Sequence, residues 1–215
     1  MTMATRRLIL RLLIVCGLSA ALAGCLGTSP ATRFYTLSPP EGGRAPASAV
    51  IDTAVEIGPV TIPDYLDRRQ IVTRSGRNGL VLAEFDRWGG SLEEEIASAL
   101  AADLTARLAP LRVAVLPWRS PLLAKARTVY RIPVTIDRFD GAPGGKVVLS
   151  AAWGVFVKEE KHEEGVLARQ SAVTEEVRGT GYGELVAAMG RAVEGLGKEM
   201  ADRVAAVVAR KKSGQ

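Results

Sequence analysis

The stretch that does most to define the fold is residues 182–210, YGELVAAMGRAVEGLGKEMADRVAAVVAR. Its apolar residues recur at the three- and four-residue spacing of an α-helix, and Glu184, Arg191, Lys198 and Asp202 fall on the opposite side. The pattern predicts a helix about 40 Å long with one packed face and one solvated face. The packed arc comprises Leu185, Val186, Met189, Val193, Leu196, Met200, Val204 and Val207.

Two glycines, Gly190 and Gly197, border this arc and lie seven residues apart. Each costs a helix about 1 kcal/mol relative to alanine, so a packing reason is expected. Two interpretations remain open: close approach to the sheet beneath the helix, and a contact between helices of two copies in a homo-oligomer.

A second helix is predicted to begin after Ser91. Ser91 and Glu94 have the spacing of a capping box, and Glu93 and Glu95 add negative charge at the positive end of the helix dipole. The leucine-rich stripe winds around the helix, and alanines fill much of the other side, so we expect contacts on more than one face; Pro110 ends the helix. The stripe comprises Leu92, Ile96, Leu100, Leu104 and Leu108.

Short strands are predicted around these helices, since β-branched and aromatic runs alternate with turn residues. Asn78-Gly79 is a strong hairpin signal, residues 140–145 and 158–164 are predicted turns, and Pro133 indicates a strand that lies at an edge or carries a bulge. The predicted fold is a single α/β domain, a mixed β-sheet with two long helices packed on it. The predicted strands are 33–37, 54–60, 70–74, 80–85, 112–116, 129–137, 146–158 and 166–177.

The N-terminus has the layout of a secretory signal: Arg6, Arg7 and Arg11 precede an apolar run over residues 12–23. The run is shorter than the roughly 20 residues that an uncleaved membrane anchor needs. It ends in Leu22-Ala23-Gly24-Cys25, which resembles the bacterial lipoprotein signal. The resemblance implies cleavage before Cys25, diacylglycerol on its sulfur and an acyl chain on its amino group.

We therefore expect a signal peptide at 1–24, a lipidated tether at 25–33 and one domain at 34–212. The eight residues that follow Cys25 span at most about 28 Å, so the domain would sit close to the bilayer. In the class of lipoprotein that this signal resembles, Asp directly after the acylated cysteine retains the protein at the inner membrane. This chain has Leu26 at that position, which indicates anchoring at the periplasmic face of the outer membrane.

Charge and cysteine content exclude several classes of protein. The net charge of +5 includes three arginines of the signal, and no basic stripe interleaved with aromatics appears, so no nucleic-acid partner is expected. Cys16 would leave with the signal and Cys25 would be acylated, which leaves no disulfide to stabilise the domain.

No catalytic, metal or cofactor site is expected. The glycine-rich residues 179–184 place Glu184 where a pyrophosphate would lie, and residues 140–146 lack the first glycine and the final Ser/Thr of a phosphate loop. His162 is the only histidine, lies in a predicted charged turn and has no nucleophile motif beside it. The chain is therefore not expected to be an enzyme.

Candidate contact residues cluster after the second strand. Arg68, Arg69, Arg74 and Arg77 flank a strand and could bind lipid phosphates or an acidic partner, or could form a solvated basic rim. Trp88 could be an exposed partner contact or a core aromatic. The candidate contacts for a partner or lipid are Tyr65, Arg68, Arg69, Arg74 and Trp88.

Several segments together resemble the ABC-type transport auxiliary lipoproteins. After the lipoprotein signal come Phe34-Tyr35-Thr36-Leu37, the run IGPVTIPDYLDRRQIVTR at 57–74, Asp86-Arg87-Trp88 and the helix entry at 182–185. Two departures occur: Arg69 replaces a usual proline, and Gly89-Gly90-Ser91 replaces the usual lead into the helix, although Ser91 supplies a cap.

The resemblance implies an α/β sandwich and a non-enzymatic periplasmic subunit of an MCE-type ABC system that moves phospholipid-like molecules between membranes. The MCE protein would be the partner, docked by this chain to the outer membrane through its acyl chains. An alternative is a periplasmic phospholipid carrier with a cavity between sheet and helices.

Overall fold

A computed structural model describes residues 30–37, 52–159 and 162–213. Cys25 and the predicted signal peptide lie outside the described residues, as do residues 39–49, whose three prolines and two glycines predict a loop. The chain forms two compact units, Met1–Thr32 and Arg33–Gln215, and the elements described below belong to the second unit.

The described chain folds into a mixed α/β domain with two long helices, which confirms the predicted fold class. Most predicted elements appear within a few residues of their expected positions, since periodicity and turn residues specify them locally. In chain order the elements are β1 Arg33–Tyr35, β2 Thr53–Thr61, β3 Gln70–Ser75, β4 Gly79–Trp88, α1 Leu92–Leu108, β5 Ala114–Pro117, β6 Thr128–Gly141, β7 Lys146–Glu159, β8 His162–Glu176 and α2 Tyr182–Ser213, with 3-10 turns at Ala109–Leu111 and Pro121–Lys125.

The strands divide into two sheets rather than the single sheet expected from sequence. A five-stranded sheet has the order β5-β2-β6-β7-β8, in which β2 runs parallel to β5 and β6 while β6, β7 and β8 are antiparallel. A three-stranded sheet has the order β1-β4-β3, with β1 parallel and β3 antiparallel to β4. The predicted β3–β4 hairpin is present, but its turn comprises residues 76–78, and Gly79 already belongs to β4 and pairs with Ser75.

Both helices pack on the five-stranded sheet and against each other, α1 over β2 and β5 and α2 over β7 and β8. Every residue of the two predicted apolar stripes is buried. The Ser91 hydroxyl accepts a hydrogen bond from the Glu94 amide at 3.5 Å, as the capping box predicts. Contacts with the sheet and with α2 explain why α1 is apolar or small on more than one face.

Pro133 lies in a central strand, so its edge alternative is wrong and its bulge alternative is confirmed. The β2–β6 register shifts between Ile57 and Val60 of β2, opposite Ile132 and Val134 of β6. Pro59 falls in the same interval. Neither proline has an amide hydrogen to donate, and the ladder is interrupted where they meet.

Three predicted boundaries are corrected. Arg112 adopts a left-handed conformation (φ 55°) that ends the 3-10 turn after α1, so β5 begins only at Ala114. Asp140 belongs to β6 rather than to a turn, because β6 pairs with β7 as far as Gly141. His162 is not in a turn but begins β8, opposite Glu159.

The two glycines of α2 have different surroundings. A Cβ on Gly197 would collide with the Asp103 carboxylate of α1 and lie 3.2 Å from the Asp103 Cβ, whereas a Cβ on Gly190 would have no heavy atom within 4 Å. Gly197 therefore allows the two helices of one chain to approach closely. This is neither the sheet contact nor the contact between copies considered from sequence.

Alanine at these two glycines should have opposite effects on stability. Gly190→Ala is expected to raise the free energy of unfolding by up to about 1 kcal/mol through helix propensity. Gly197→Ala gains the same propensity but displaces Asp103 from Arg107, an overpacking cost of about 1–3 kcal/mol, so a net loss is expected. Urea unfolding of both variants measures the contrast; equal effects would contradict the helix contact at Gly197.

Candidate functional site: a basic rim and its buried support

The predicted contact residues divide into a buried ionic cluster and an exposed rim. Tyr65 and Arg74 both bind Asp140, which is fully buried. Arg68 and Arg69 are exposed. Trp88 is only 2% exposed and lies in the core, so the exposed alternative for this residue is corrected.

Asp140 is the centre of the buried cluster. Its Oδ1 accepts hydrogen bonds from Arg74 Nε and Arg138 Nε, both at 2.9 Å. Its Oδ2 accepts from Arg74 Nη2 at 2.7 Å and from the Tyr65 hydroxyl at 3.0 Å. The cluster ties the turn after β2, the hairpin strand β3 and the central strand β6 to one carboxylate.

The protonation of this cluster follows from its hydrogen bonds. Burial opposes ionisation of Asp140, but the hydrogen bonds from Arg74, Arg138 and Tyr65 outweigh it and hold the pKa of Asp140 below its ordinary value. The hydrogen bond to Asp140 raises the pKa of Arg74. Burial, followed by the charge of Asp140, raises the pKa of Tyr65. The cluster is thus a fixed ion pair at neutral pH, with a neutral phenol.

The turn between β2 and β3 presents the exposed arginines. The Leu66 amide donates to the Pro63 carbonyl at 2.8 Å, and the Leu66 side chain is buried in the core. The Trp88 amide donates to the Arg69 carbonyl at 2.7 Å. With its backbone held on both sides, the turn leaves the side chains of Arg68 and Arg69 in solvent. We call Arg68, Arg69 and Arg77, all exposed, the basic rim.

β1, the first strand after the predicted tether, is fastened by a second buried carboxylate. Asp86 accepts from Arg33 Nε at 2.8 Å, Arg33 Nη2 at 3.1 Å and the Tyr35 hydroxyl at 2.8 Å. The Leu37 amide donates to Glu95 of α1 at 2.8 Å. A strand of only three residues is thereby joined to both the small sheet and the helix layer.

A third buried carboxylate, Glu56, was not singled out from sequence. Its Oε2 accepts from Arg131 Nε at 2.9 Å, and its Oε1 accepts from the Arg119 amide at 3.0 Å. Both guanidinium groups lie over the Trp118 ring, at 5.2 and 5.6 Å from its centre. This cluster holds the connector after β5 onto the sheet, which is a structural role.

An open groove runs between α1 and the β2–β5 edge of the large sheet. It has a volume of about 830 Å³ and is lined mainly by small and apolar side chains, with Glu93 and Glu94 at its rim. Small residues of α1 such as Ala97 and Ala101 line this space, and Trp118 also lines it. Among the described residues, none of the helices has the length and apolarity that crossing a bilayer requires.

Comparison with known proteins identifies the class. Residues 35–201 match the family described as the ABC-type transport auxiliary lipoprotein component, and the chain therefore belongs to this family. The intermembrane transport lipoprotein PqiC of Escherichia coli (strain K12) is 27% identical over 150 residues, covering 67% of this chain and 76% of PqiC. PqiC of Shigella flexneri gives the same values.

Solved structures share the fold. The crystal structure of Xanthomonas campestris protein XCC0632 has a TM-score of 0.61 at 12% identity and covers 86% of this chain and 100% of that one. A crystal structure titled only as an uncharacterized protein has a TM-score of 0.62 at 19% identity, covering 81% and 99%. At these identities the likeness shows the fold alone.

Proposed function

We propose that this chain is a non-catalytic lipoprotein of an intermembrane phospholipid transport system, anchored through Cys25 at the periplasmic face of the outer membrane. It docks the MCE protein of an ABC transporter to that membrane. Membership of the auxiliary lipoprotein family supports the transport role, and similarity to PqiC supports transport between membranes.

The fastening of β1 is the observation that carries the tethering role. A tether is effective only if force applied at the membrane anchor is transmitted to the folded core without detaching β1. Arg33 and Tyr35 are bonded to buried Asp86, and Leu37 is bonded to α1, so a pull entering at residue 33 is shared between two layers. Strands at the terminus of a domain are otherwise the first to fray.

Arg68 and Arg69 of the basic rim form the proposed docking surface, and the backbone that carries them is firmly held. The ion pair of Asp140 with Arg74 and Arg138 fixes the base of the β3 strand, and Trp88 and Leu66 fix the turn that carries Arg68 and Arg69. Because the backbone of the turn is already held, little backbone freedom is lost when Arg68 and Arg69 bind an acidic partner surface. Arg74 itself is committed to Asp140 and is not part of the contact.

Affinity purification from native membranes tests the docking role. A C-terminally tagged full-length chain, extracted in mild detergent, should co-purify with an MCE-domain protein. Replacing Arg68 and Arg69 by Glu should reduce that recovery about tenfold or more, since like charge now faces an acidic surface. Recovery of no MCE protein, or recovery indifferent to charge reversal, would count against docking through the rim.

A second candidate, a phospholipid carrier, is favoured by one observation, the open groove beside α1. Its volume of about 830 Å³ lies within the usual range of ligand sites, and its lining is mostly apolar. Native mass spectrometry separates the two: stoichiometric phospholipid on the purified protein supports the carrier, and a lipid-free domain that still binds the MCE protein supports docking.

A further inference from the structure

The tip of the β3–β4 hairpin, residues 77–82, exposes an unusual run of apolar side chains. Leu80, Val81 and Leu82 are 41%, 48% and 45% exposed. Adjacent residues of a strand point to opposite faces, so three in succession can be exposed only if β4 is in solvent on both faces there. Val72 and Thr73 on β3, which pair with Leu82 and Val81, are buried and anchor the exposed strand to the domain.

The charge of the hairpin near its turn has one sign. Between Thr73 and Leu82 the ionisable residues are Arg74 and Arg77. Arg74 is neutralised by Asp140, whereas the Arg77 side chain is exposed and lies beside the apolar run. Apolar side chains next to a cation match the interfacial region of a bilayer, where acyl chains lie beneath phosphates.

The direction of β1 relates the start of the domain to this tip. β1 runs parallel to β4 with Arg33 opposite Asp86, so the N-terminal end of β1 points toward the hairpin turn. The eight residues from Cys25 to Arg33 span at most about 28 Å, the length of β4 back to that turn.

We propose that residues 77–82 form a second, non-covalent contact with the leaflet that holds the acyl chains of Cys25. Leu80, Val81 and Leu82 enter the interfacial region, and Arg77 binds lipid phosphate. This inference rests on the proposed acylation of Cys25. The contact gives the domain a defined orientation, because two points of attachment to the membrane restrict its tilt more than the N-terminal segment alone would.

A second copy of this chain is a less suitable occupant of the tip. Two identical tips would bring Arg77 of each copy together, and like charges oppose the contact. A bilayer, by contrast, is already within reach of the tether.

Fluorescence of a single labelled cysteine tests the contact in the full-length acylated protein. Val81→Cys is labelled with an NBD fluorophore, and Val166→Cys on β8, 40% exposed, is the matched control. Each protein is reconstituted into vesicles of phosphatidylethanolamine and phosphatidylglycerol, with or without phospholipids that carry a shallow nitroxide quencher. Unfolding of both variants should match that of wild type, since both positions are exposed.

We expect a blue shift and nitroxide quenching at position 81, with quenching roughly twofold or more stronger than at position 166. Equal, weak quenching at both positions in proteins that float with the vesicles would overturn the contact while leaving the anchor intact. A blue shift at 81 that ignores nitroxide and disappears when the protein is diluted among vesicles would assign the tip to a second copy, and would also overturn it. Protein that fails to float would show that acylation itself, and with it the proposed function, is wrong.

Discussion

Replacing Asp140 by asparagine should lower the free energy of unfolding by about 2–4 kcal/mol. Removing one partner of a buried ion pair typically costs about 3–5 kcal/mol, because the remaining charge loses its compensation. The cost is smaller here because Arg74 and Arg138 are 24% and 40% exposed and water can partly replace the carboxylate. The Tyr65 hydroxyl and both guanidiniums depend on this one side chain, so loosening of the β2–β3 turn should accompany the loss.

Asp137→Asn is the matched control for this change. Asp137 lies on the same strand, is exposed and accepts only a 3.4 Å hydrogen bond from Gln170 among the contacts described for it. Its substitution should alter stability by no more than about 0.5 kcal/mol. Urea unfolding of the two variants beside wild type gives the comparison. Equal stability of Asp140→Asn and Asp137→Asn would show that the cluster does not support the fold.

The same pair of proteins should differ in their response to acid. The pKa of Asp140 is lower in the folded protein than its ordinary value, so its ionisation stabilises the fold above about pH 4, and this contribution is lost as pH falls through the folded pKa. The Asn variant lacks the contribution at every pH. The gap in stability between wild type and Asp140→Asn should therefore be largest near neutrality and should narrow below about pH 4.

Replacing Cys25 by serine, in a chain exported through a conventional secretory signal, should abolish membrane anchoring. Each buried methylene contributes about 0.8 kcal/mol to membrane binding, and two or more chains hold a protein stably, so their removal should move nearly all of the protein to the soluble periplasmic fraction. Position 25 lies outside the folded unit that begins at Arg33, so the variant should unfold at the same urea concentration as wild type.

The location of the partner distinguishes a lipoprotein that holds the MCE protein at the outer membrane from one that is only bound to it. If the chain docks an MCE protein, the Cys25→Ser variant should still bind that protein but no longer hold it in the outer-membrane fraction. Cys16→Ser, which alters a cysteine that would leave with the signal, is the control and should change neither distribution. An MCE protein that stays at the outer membrane in the Cys25→Ser strain would contradict the docking role.

Local patterns accounted for most of the fold. The α1 cap, the β3–β4 hairpin and the buried arc of α2 each depend on residues close together in sequence, so periodicity and turn chemistry suffice to predict them. The division into two sheets is different. It depends on which distant strands pair, and alternation along one strand carries no information about its neighbours.

The buried ionic clusters could not be predicted from local sequence patterns, because their members are far apart in the sequence. Tyr65 and Arg74 are 75 and 66 residues from Asp140 in sequence, and only the fold brings them together. The β6–β7 register shifts between Ile136 and Arg138, after which Phe139 takes the core position and Asp140 faces Tyr65 and Arg74. A carboxylate followed within five residues by three glycines and a proline is typical of a turn, and only the register shift shows that Asp140 lies in a strand.

The central claim is that a covalent lipid at Cys25 holds this folded domain at a membrane, where the domain binds a partner protein of the transport system. The most direct measurement is the intact mass of the mature protein purified from its native envelope. The account predicts a chain that begins at Cys25 and carries both a diacylglyceryl group and an amide-linked acyl chain. A mass that corresponds to an unmodified residue 25, or to a chain that retains residues 1–24, would contradict it.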